Sequence, residues 1–222
     1  MTDDRPPCRL YLITPPRIED PVAFRDQVAA ALDGGDVACL QLRLKQGDGI
    51  DEAMTERVAD AVMALAQERD VAVVINDSPA LALKLGADGV HVGWHDVPVR
   101  EARQVLGPDA IVGATAKNSY HAAMEAGDAG ADYVAFGAFF ATSTKTATVS
   151  ADVQLLADWQ AMTELPCVAI GGITPENGGA LVSAGADFLA VSSAVWRHGD
   201  GPGAAVAAFN ALFAEASGTG AG

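Results

Sequence analysis

Basic residues are scarce in this chain: 14 lysines and arginines stand against 29 aspartates and glutamates over 222 residues, a formal net charge of -15. No broad basic surface is left to neutralise a phosphate backbone, which excludes nucleic acid as the expected partner. Any anionic ligand must be gripped locally, by a few concentrated cations, backbone N–H groups or a metal ion, against an unfavourable overall field. Cysteine is nearly absent as well. Cys8, Cys39 and Cys167 are odd in number and far apart, so neither a disulfide framework nor a CxxC metal site is expected, and a reducing cytoplasm fits. Long apolar runs are missing: nothing approaches the roughly 18 residues of a membrane span. The opening "MTDDRPPCRL" is acidic and proline-rich rather than basic and then apolar, unlike a secretory leader. The expectation is a soluble, uncleaved, cytoplasmic protein.

What the chain does have is short β-prone runs, each followed by an alanine-rich segment with helical spacing, in a composition that is 50% hydrophobic. That alternation belongs to a parallel sheet covered by helices. The strands are expected at Arg9 to Thr14, Ala38 to Leu44, Ala72 to Asp77, Gly89 to Gly93, Ile111 to Thr115, Tyr133 to Ala138, Cys167 to Gly172 and Phe188 to Ser193. Helices are expected at Pro21 to Asp33, Asp51 to Arg69, Ser78 to Leu85, Pro98 to Leu106, Ser119 to Ala129, Ala151 to Thr163, Pro175 to Ala184 and Pro202 to Ala216. Several open with proline or a capping side chain. A repeated phrase, "LGADGV", "AGADYV" and "AGADFL", marks places where a glycine ends a helix and the next strand begins. Eight such units point to a (β/α)8 TIM barrel in a single domain over residues 1–222, with the barrel from about 9 to 216; a doubly wound open sheet is the alternative. Only "GDGPG" and the "GTGAG" tail read as flexible.

In such a barrel, chemistry belongs at the carboxyl ends of the strands. The second predicted strand ends in "QLRLK", with Gln41, Arg43 and Lys45 at every second position and therefore on one side. Alternation of this kind also describes a solvated face, but an acidic chain that binds an anion needs such a cluster. Leu42 and Leu44 would then face the helices. The third strand closes with Asn76 and Asp77. Asp77 either caps the following helix or binds a metal, and a second carboxylate, Asp96, in the loop after the neighbouring strand favours the metal. Two carboxylates suit Mg²⁺, which fills its remaining positions with water and substrate phosphate. His91 and His95 have the i, i+4 spacing of a zinc pair, but in a strand and loop rather than a helix; His91 is expected inside the barrel, and His121 and His198 at the surface. Near the end, "AIGGI" offers amides at Gly171 and Gly172, and Ser192 and Ser193 follow the eighth strand. This is where barrels often hold phosphate, although glycine there can also serve tight turning alone.

Taken in order, "LYLIT", "QLRLK", "IND", "GADGVHVG" followed by Asp96, "TSTK", "AIGGI" and "VSSAV" make the chain resemble the thiamine-phosphate synthase family, from Leu10 to about Val195. The resemblance implies a (β/α)8 barrel that joins hydroxymethylpyrimidine diphosphate to a thiazole phosphate with Mg²⁺ and releases pyrophosphate. By that resemblance Gln41, Arg43, Lys45, Asn76 and Lys145 hold the pyrimidine diphosphate, with Arg43, Lys45 and Lys145 neutralising the departing charge. Asp77 and Asp96 bind Mg²⁺. Thr142 and Thr144 contact the thiazole phosphate together with Gly172, Ser192 and Ser193, and Thr115 stands where a serine commonly touches the diphosphate. The implied partners are small phosphorylated molecules, with neither nucleic acid nor membrane, and assembly into a homo-oligomer is left open.

Three positions depart from the family pattern: Ser78 replaces an arginine, Trp94 a glutamine and Lys117 a histidine. The closest rival is a thiazole tautomerase, a related barrel that uses a histidine near position 117; lysine there, with Asp77, Asp96 and Lys145 present, argues against it. A non-catalytic barrel that binds phosphate ligands is the rival of another class.

Overall fold

The computed structural model describes residues 5–47, 49–94, 96–141 and 151–218. The chain begins with β1 (Arg9–Ile13), α1 (Pro21–Asp33) and β2 (Cys39–Leu42), followed by a two-stranded ribbon of β3 (Lys45–Gln46) and β4 (Gly49–Ile50). It continues through α2 (Glu52–Gln67), β5 (Ala72–Asn76), α3 (Pro79–Leu85), β6 (Gly89–Val92), α4 (Val99–Leu106), β7 (Ile111–Lys117) and α5 (Tyr120–Asp128). The last part comprises β8 (Tyr133–Gly137), α6 (Gln154–Met162), β9 (Cys167–Ile170), α7 (Pro175–Ser183), β10 (Phe188–Val191), α8 (Ser193–Trp196) and α9 (Pro202–Gly218). All strands outside the ribbon pair in parallel and close on themselves, with Leu12 of β1 opposite both Val191 of β10 and Leu40 of β2. The ring is a (β/α)8 barrel, and closure rules out the open-sheet alternative. Among the described residues no helix is long and apolar enough to cross a membrane.

Period-two alternation sorts the strand residues into two layers. Leu10, Leu12, Leu40, Leu42, Val73, Ile75, Val90, Val112 and Leu189 point outward into the helix-covered core, where Phe24, Val28, Val62, Leu156 and Phe209 meet them. Tyr11, Ile13, Cys39, Val74, Tyr133, Ala135, Val168 and Ala190 fill the interior. Leu42 and Leu44 are buried in the outer layer, as the alternation predicts. The helices start where sequence chemistry places them: Asp20 Oδ1 accepts from the Val22 and Ala23 amides ahead of Pro21, and Asp51 and Ser78 cap α2 and α3. Each cap satisfies amides that the first turn leaves without partners.

The repeated phrase is a structural clamp. Its glycine, at or just past the helix end, takes a left-handed conformation, with φ of 68 at Gly86, 97 at Gly130 and 99 at Gly185, which a side chain would resist. Its aspartate reaches back to the strand before it: Asp88 Oδ2 accepts from the Val73 amide at 2.7 Å, Asp132 Oδ2 from Val112 at 2.7 Å and Asp187 Oδ2 from Cys167 at 2.8 Å. A helix side chain completes each carboxylate: Gln67 on Asp88, Arg103 on Asp132 and Gln160 on Asp187.

Three of the boundaries that differ from the sequence expectation bear on the mouth of the barrel. The second strand stops at Leu42 instead of Leu44, because Pro15 and Pro16 follow β1 and cannot donate to a ladder. The Arg43 amide turns to Thr14 Oγ1 at 2.9 Å and the Lys45 amide to the Pro16 carbonyl at 3.0 Å. Lys45 therefore lies on the ribbon, not on a barrel strand. The fifth barrel strand runs on to Lys117, past an irregularity between Thr115 and Lys117. The last strand ends at Val191, and Ser192 and Ser193 open the short α8.

Candidate active site at the barrel mouth

A chain of polar side chains runs up the barrel interior. Tyr11 Oη lies 2.8 Å from Tyr133 Oη and donates to Gln41 Oε1 at 3.3 Å. Gln41 Nε2 donates to Asn76 Oδ1 at 2.7 Å. On the other branch, Tyr133 Oη is 3.0 Å from His91 Nδ1, and His91 Nε2 is 2.8 Å from Thr115 Oγ1. Gln41, Asn76 and His91 are all buried, so these bonds replace the water the groups have lost. Burial pushes His91 down to about 4, with Asp77 opposing that shift and Arg43 reinforcing it; the ring is neutral at pH 7. The network ends on Asn76 and Thr115 at the carboxyl ends of β5 and β7, which gives both side chains fixed orientations.

The acidic pair lies in the segments that follow β5 and β6. Asp77 follows β5 with φ of 63, a left-handed conformation that costs a non-glycine residue roughly 1 kcal/mol. Its amide donates to the His91 carbonyl at 2.7 Å. Ser78 takes over the helix cap, its Oγ accepting from the Leu81 amide at 3.2 Å, and this frees the Asp77 carboxylate for other work. Lys45 Nζ meets Asp77 Oδ2 at 2.7 Å, with the two side chains 20% and 14% exposed. Asp96 Oδ2 accepts from the Gly93 amide at 3.0 Å, and a Cβ at position 93 would overlap that carboxylate.

Asp77 and Asp96 stand within hydrogen-bond reach of each other. Burial raises the Asp77 carboxyl, but the Lys45 ammonium and the bond to Asp96 more than offset this and leave it below its usual value. Burial also raises Asp96, and the bond to Asp77 and its charge raise it further. Each negative charge thus makes the other harder to hold, and the penalty falls mainly on Asp96. Among the described residues no cluster of three or more His, Cys, Asp or Glu converges on one point. The donor set is thus a carboxylate pair open on one side, of the kind that Mg²⁺ takes when phosphate oxygens and water supply the rest.

Residues 10–195 match the family model described as thiamine monophosphate synthase. A thiamine-phosphate synthase of Hyphomonas neptunium is 64% identical over 217 residues, covering 96% of this chain and 98% of the relative, and one of Rhodospirillum centenum is 60% identical over 210 residues, covering 95% and 98%. Among solved structures, the thiamine phosphate pyrophosphorylase from Pyrococcus furiosus superposes with a TM-score of 0.80 at 29% identity, covering 94% of this chain and 96% of that one. The chain belongs to the thiamine monophosphate synthase family.

Set against the residues that the family resemblance implies, the barrel bonds Gln41 to Asn76 and Lys45 to the adjacent Asp77, with Asp96 beside it. Arg43 is half-buried after β2 and lies near enough to His91 to shift it. Thr115 reaches Gln41 and Asn76 through His91 and the two tyrosines. At the far side of the mouth, Ser192 Oγ donates to the Thr14 carbonyl at 3.3 Å, and Ser193 begins α8. Gly172, with φ of 64, packs where a Cβ would overlap the Ala141 carbonyl, so glycine is required here for close packing whatever else it does. Thr142, Thr144 and Lys145 lie outside the described residues, as does His95.

Two features of the mouth were not anticipated from the sequence. One is the Tyr11–Tyr133–His91 chain beneath the polar groups; tyrosines at inward positions of the first and sixth barrel strands are its only sequence signal. The other joins two of the departures from the family pattern: Lys117 Nζ lies 5.5 Å from the centroid of the Trp94 ring. Trp94 is 47% exposed, and a cation over an indole at such a site contributes about 0.5–1 kcal/mol. His121 is exposed as expected, beside Glu125, whereas His198 is half-buried. A cavity of about 490 Å³ opens at the opposite end of the barrel, between Arg5, Arg9, Gln160 and Asp187, but Gln160 already bonds Asp187 and Arg9 already bonds Asp36. Those groups hold the structure together and leave no convergent site.

Proposed function

We propose that the protein is a working thiamine-phosphate synthase: it displaces the diphosphate of hydroxymethylpyrimidine diphosphate with the nitrogen of a thiazole phosphate, giving thiamine phosphate and pyrophosphate. The observation that carries this reading is the Asp77–Asp96 pair with Lys45 on Asp77, at the ends of adjacent strands in a chain 64% identical to a named thiamine-phosphate synthase. Asp77 and Asp96 would hold Mg²⁺, which would supply positive charge to the diphosphate. The remaining work belongs to side chains of this protein. Arg43 and Lys45 face the departing diphosphate, joined by Lys145, and stabilise the charge that develops on its oxygens. Gln41 and Asn76, locked to each other at 2.7 Å, hold the pyrimidine end, and Thr115 contacts the same substrate. Thr142, Thr144, Gly172, Ser192 and Ser193 hold the thiazole phosphate.

The electron-rich aminopyrimidine supports positive charge on its methylene as the C–O bond breaks, and the thiazole nitrogen adds its lone pair there. No base is needed on the thiazole. Fixing both substrates in one mouth supplies the proximity contribution. The tautomerase alternative rests on a histidine near position 117, where this chain has lysine. The deciding experiment incubates the purified protein with both substrates and Mg²⁺ and measures thiamine phosphate and pyrophosphate; no product under conditions in which an established synthase turns over refutes the reading.

A further inference from the structure

Among the described residues the lysines are treated unequally. Lys45 pairs with Asp77 and Lys84 with Glu56, while Lys117 has no carboxylate and lies over Trp94. In a chain with 29 acidic residues and 14 basic ones, a lysine that meets an indole instead of a carboxylate is unusual. Its placement is also specific. β7 is seven residues long, its register shifts between Thr115 and Lys117, and Lys117 itself has φ of 56, a conformation that persists only where the surroundings enforce it. The result carries the side chain across to the loop after β6, where Trp94 stands between Gly93 and Asp96, and Gly93 is the residue whose amide holds the Asp96 carboxylate.

We propose that Lys117 is a further cation for the substrate diphosphate, stored on the Trp94 ring in the ligand-free protein and transferred to a phosphate oxygen when the ligand binds. This deepens the synthase reading and rests on it. Three observations support it. Both partners are exposed, so the cation–π contact is weak and readily exchanged, whereas a charge-assisted bond to phosphate is stronger. An ammonium on a four-carbon stem can swing between two positions without moving the backbone. And the loop under Trp94 carries one of the two carboxylates expected to face the diphosphate, so the swing required is short.

The test uses the intact protein with Mg²⁺ and inorganic pyrophosphate, followed by calorimetry and by tryptophan emission. Trp159 is fully buried, and Trp196 Nε1 donates to the Ile13 carbonyl at 2.7 Å, which leaves Trp94 as the indole that reports on Lys117. Pyrophosphate should change the emission of the unmodified protein, and Trp94→Phe should abolish the change. Lys117→Met should weaken pyrophosphate binding roughly tenfold and remove the emission response, while Lys117→Arg restores most of the affinity. Wild-type affinity in Lys117→Met overturns the proposal and points to a mere tether between two loops, which would lower the unfolding midpoint instead. Failure of pyrophosphate to bind the unmodified protein overturns it too. Turnover is scored separately: a protein that binds pyrophosphate through Lys117 but forms no thiamine phosphate refutes the synthase reading and leaves this one standing.

Discussion

At the foot of the barrel, Asp88, Asp132 and Asp187 each accept a backbone amide from the preceding strand and a donor from a helix side chain. At the mouth, Asp77 accepts from one ammonium and Asp96 from one amide, and the two carboxylates stand against each other. The residue type is the same, and the difference is in how its charge is met. A carboxylate surrounded by fixed donors is complete and can only stabilise the fold. Two neighbouring carboxylates with so few donors are incomplete, and a divalent cation or a positively charged ligand relieves their repulsion. Perturbed pairs of this second kind gather at functional sites, and here the pair lies at the end of the barrel where loops converge.

Breaking the mouth pair should have the largest effect. Asp77→Ala should lower kcat/KM by about a thousandfold while leaving the unfolding midpoint nearly unchanged; unaltered turnover would remove the metal role assigned to Asp77. The next effect lies between the two ends, at His91. Its folded value of about 4 lies below the ordinary 6.5, so the unfolded chain takes up the proton first. Stability is therefore fully present above pH 6.5 and declines as pH falls toward 4, by up to about 3 kcal/mol. Urea unfolding at a series of pH values should show this slope in the native protein and lose it in His91→Asn.

Breaking a foot clamp should cost stability without touching chemistry. Asp132→Ala leaves the Val112 amide without its acceptor and should destabilise by about 2 kcal/mol, with kcat/KM of the folded protein unchanged. A fall in kcat/KM with no loss of stability would erase the distinction between the two ends. The smallest effect belongs to a foot carboxylate that meets only an exposed cation. Asp36 pairs with Arg9 in two bonds of 2.7 and 2.8 Å, but the side chains are 52% and 41% exposed. Asp36→Asn should change stability by less than about 1 kcal/mol, which a comparison of urea midpoints with Asp132→Ala resolves.

Much of this architecture was legible in the sequence because its signals are local. The eight strand–helix units follow from alternation, proline and capping residues, and "GAD" announced helix ends through glycine. The same phrase hid its second function: that the aspartate binds the strand before it depends on parallel pairing, which no local pattern displays. At the candidate site, the position of Asn76, Asp77 and Asp96 at strand ends is what the sequence displays. The "QLRLK" pattern puts Gln41, Arg43 and Lys45 on one strand, but Pro15 and Pro16 end the ladder and Lys45 reaches Asp77 from a ribbon. Lys117 and Trp94 each stand out in the sequence as departures, but their pairing does not, because they lie 23 positions apart.

The sequence by itself determined the alternation of strand and helix, the acidic balance, and which residue types stand at the strand ends. Each of these is set by neighbours within a few positions along the chain. The tertiary structure alone decided which carboxylates stand against each other, which are saturated by amides, and which cation rests on an indole. Those properties depend on distances between strands that only closure of the barrel creates.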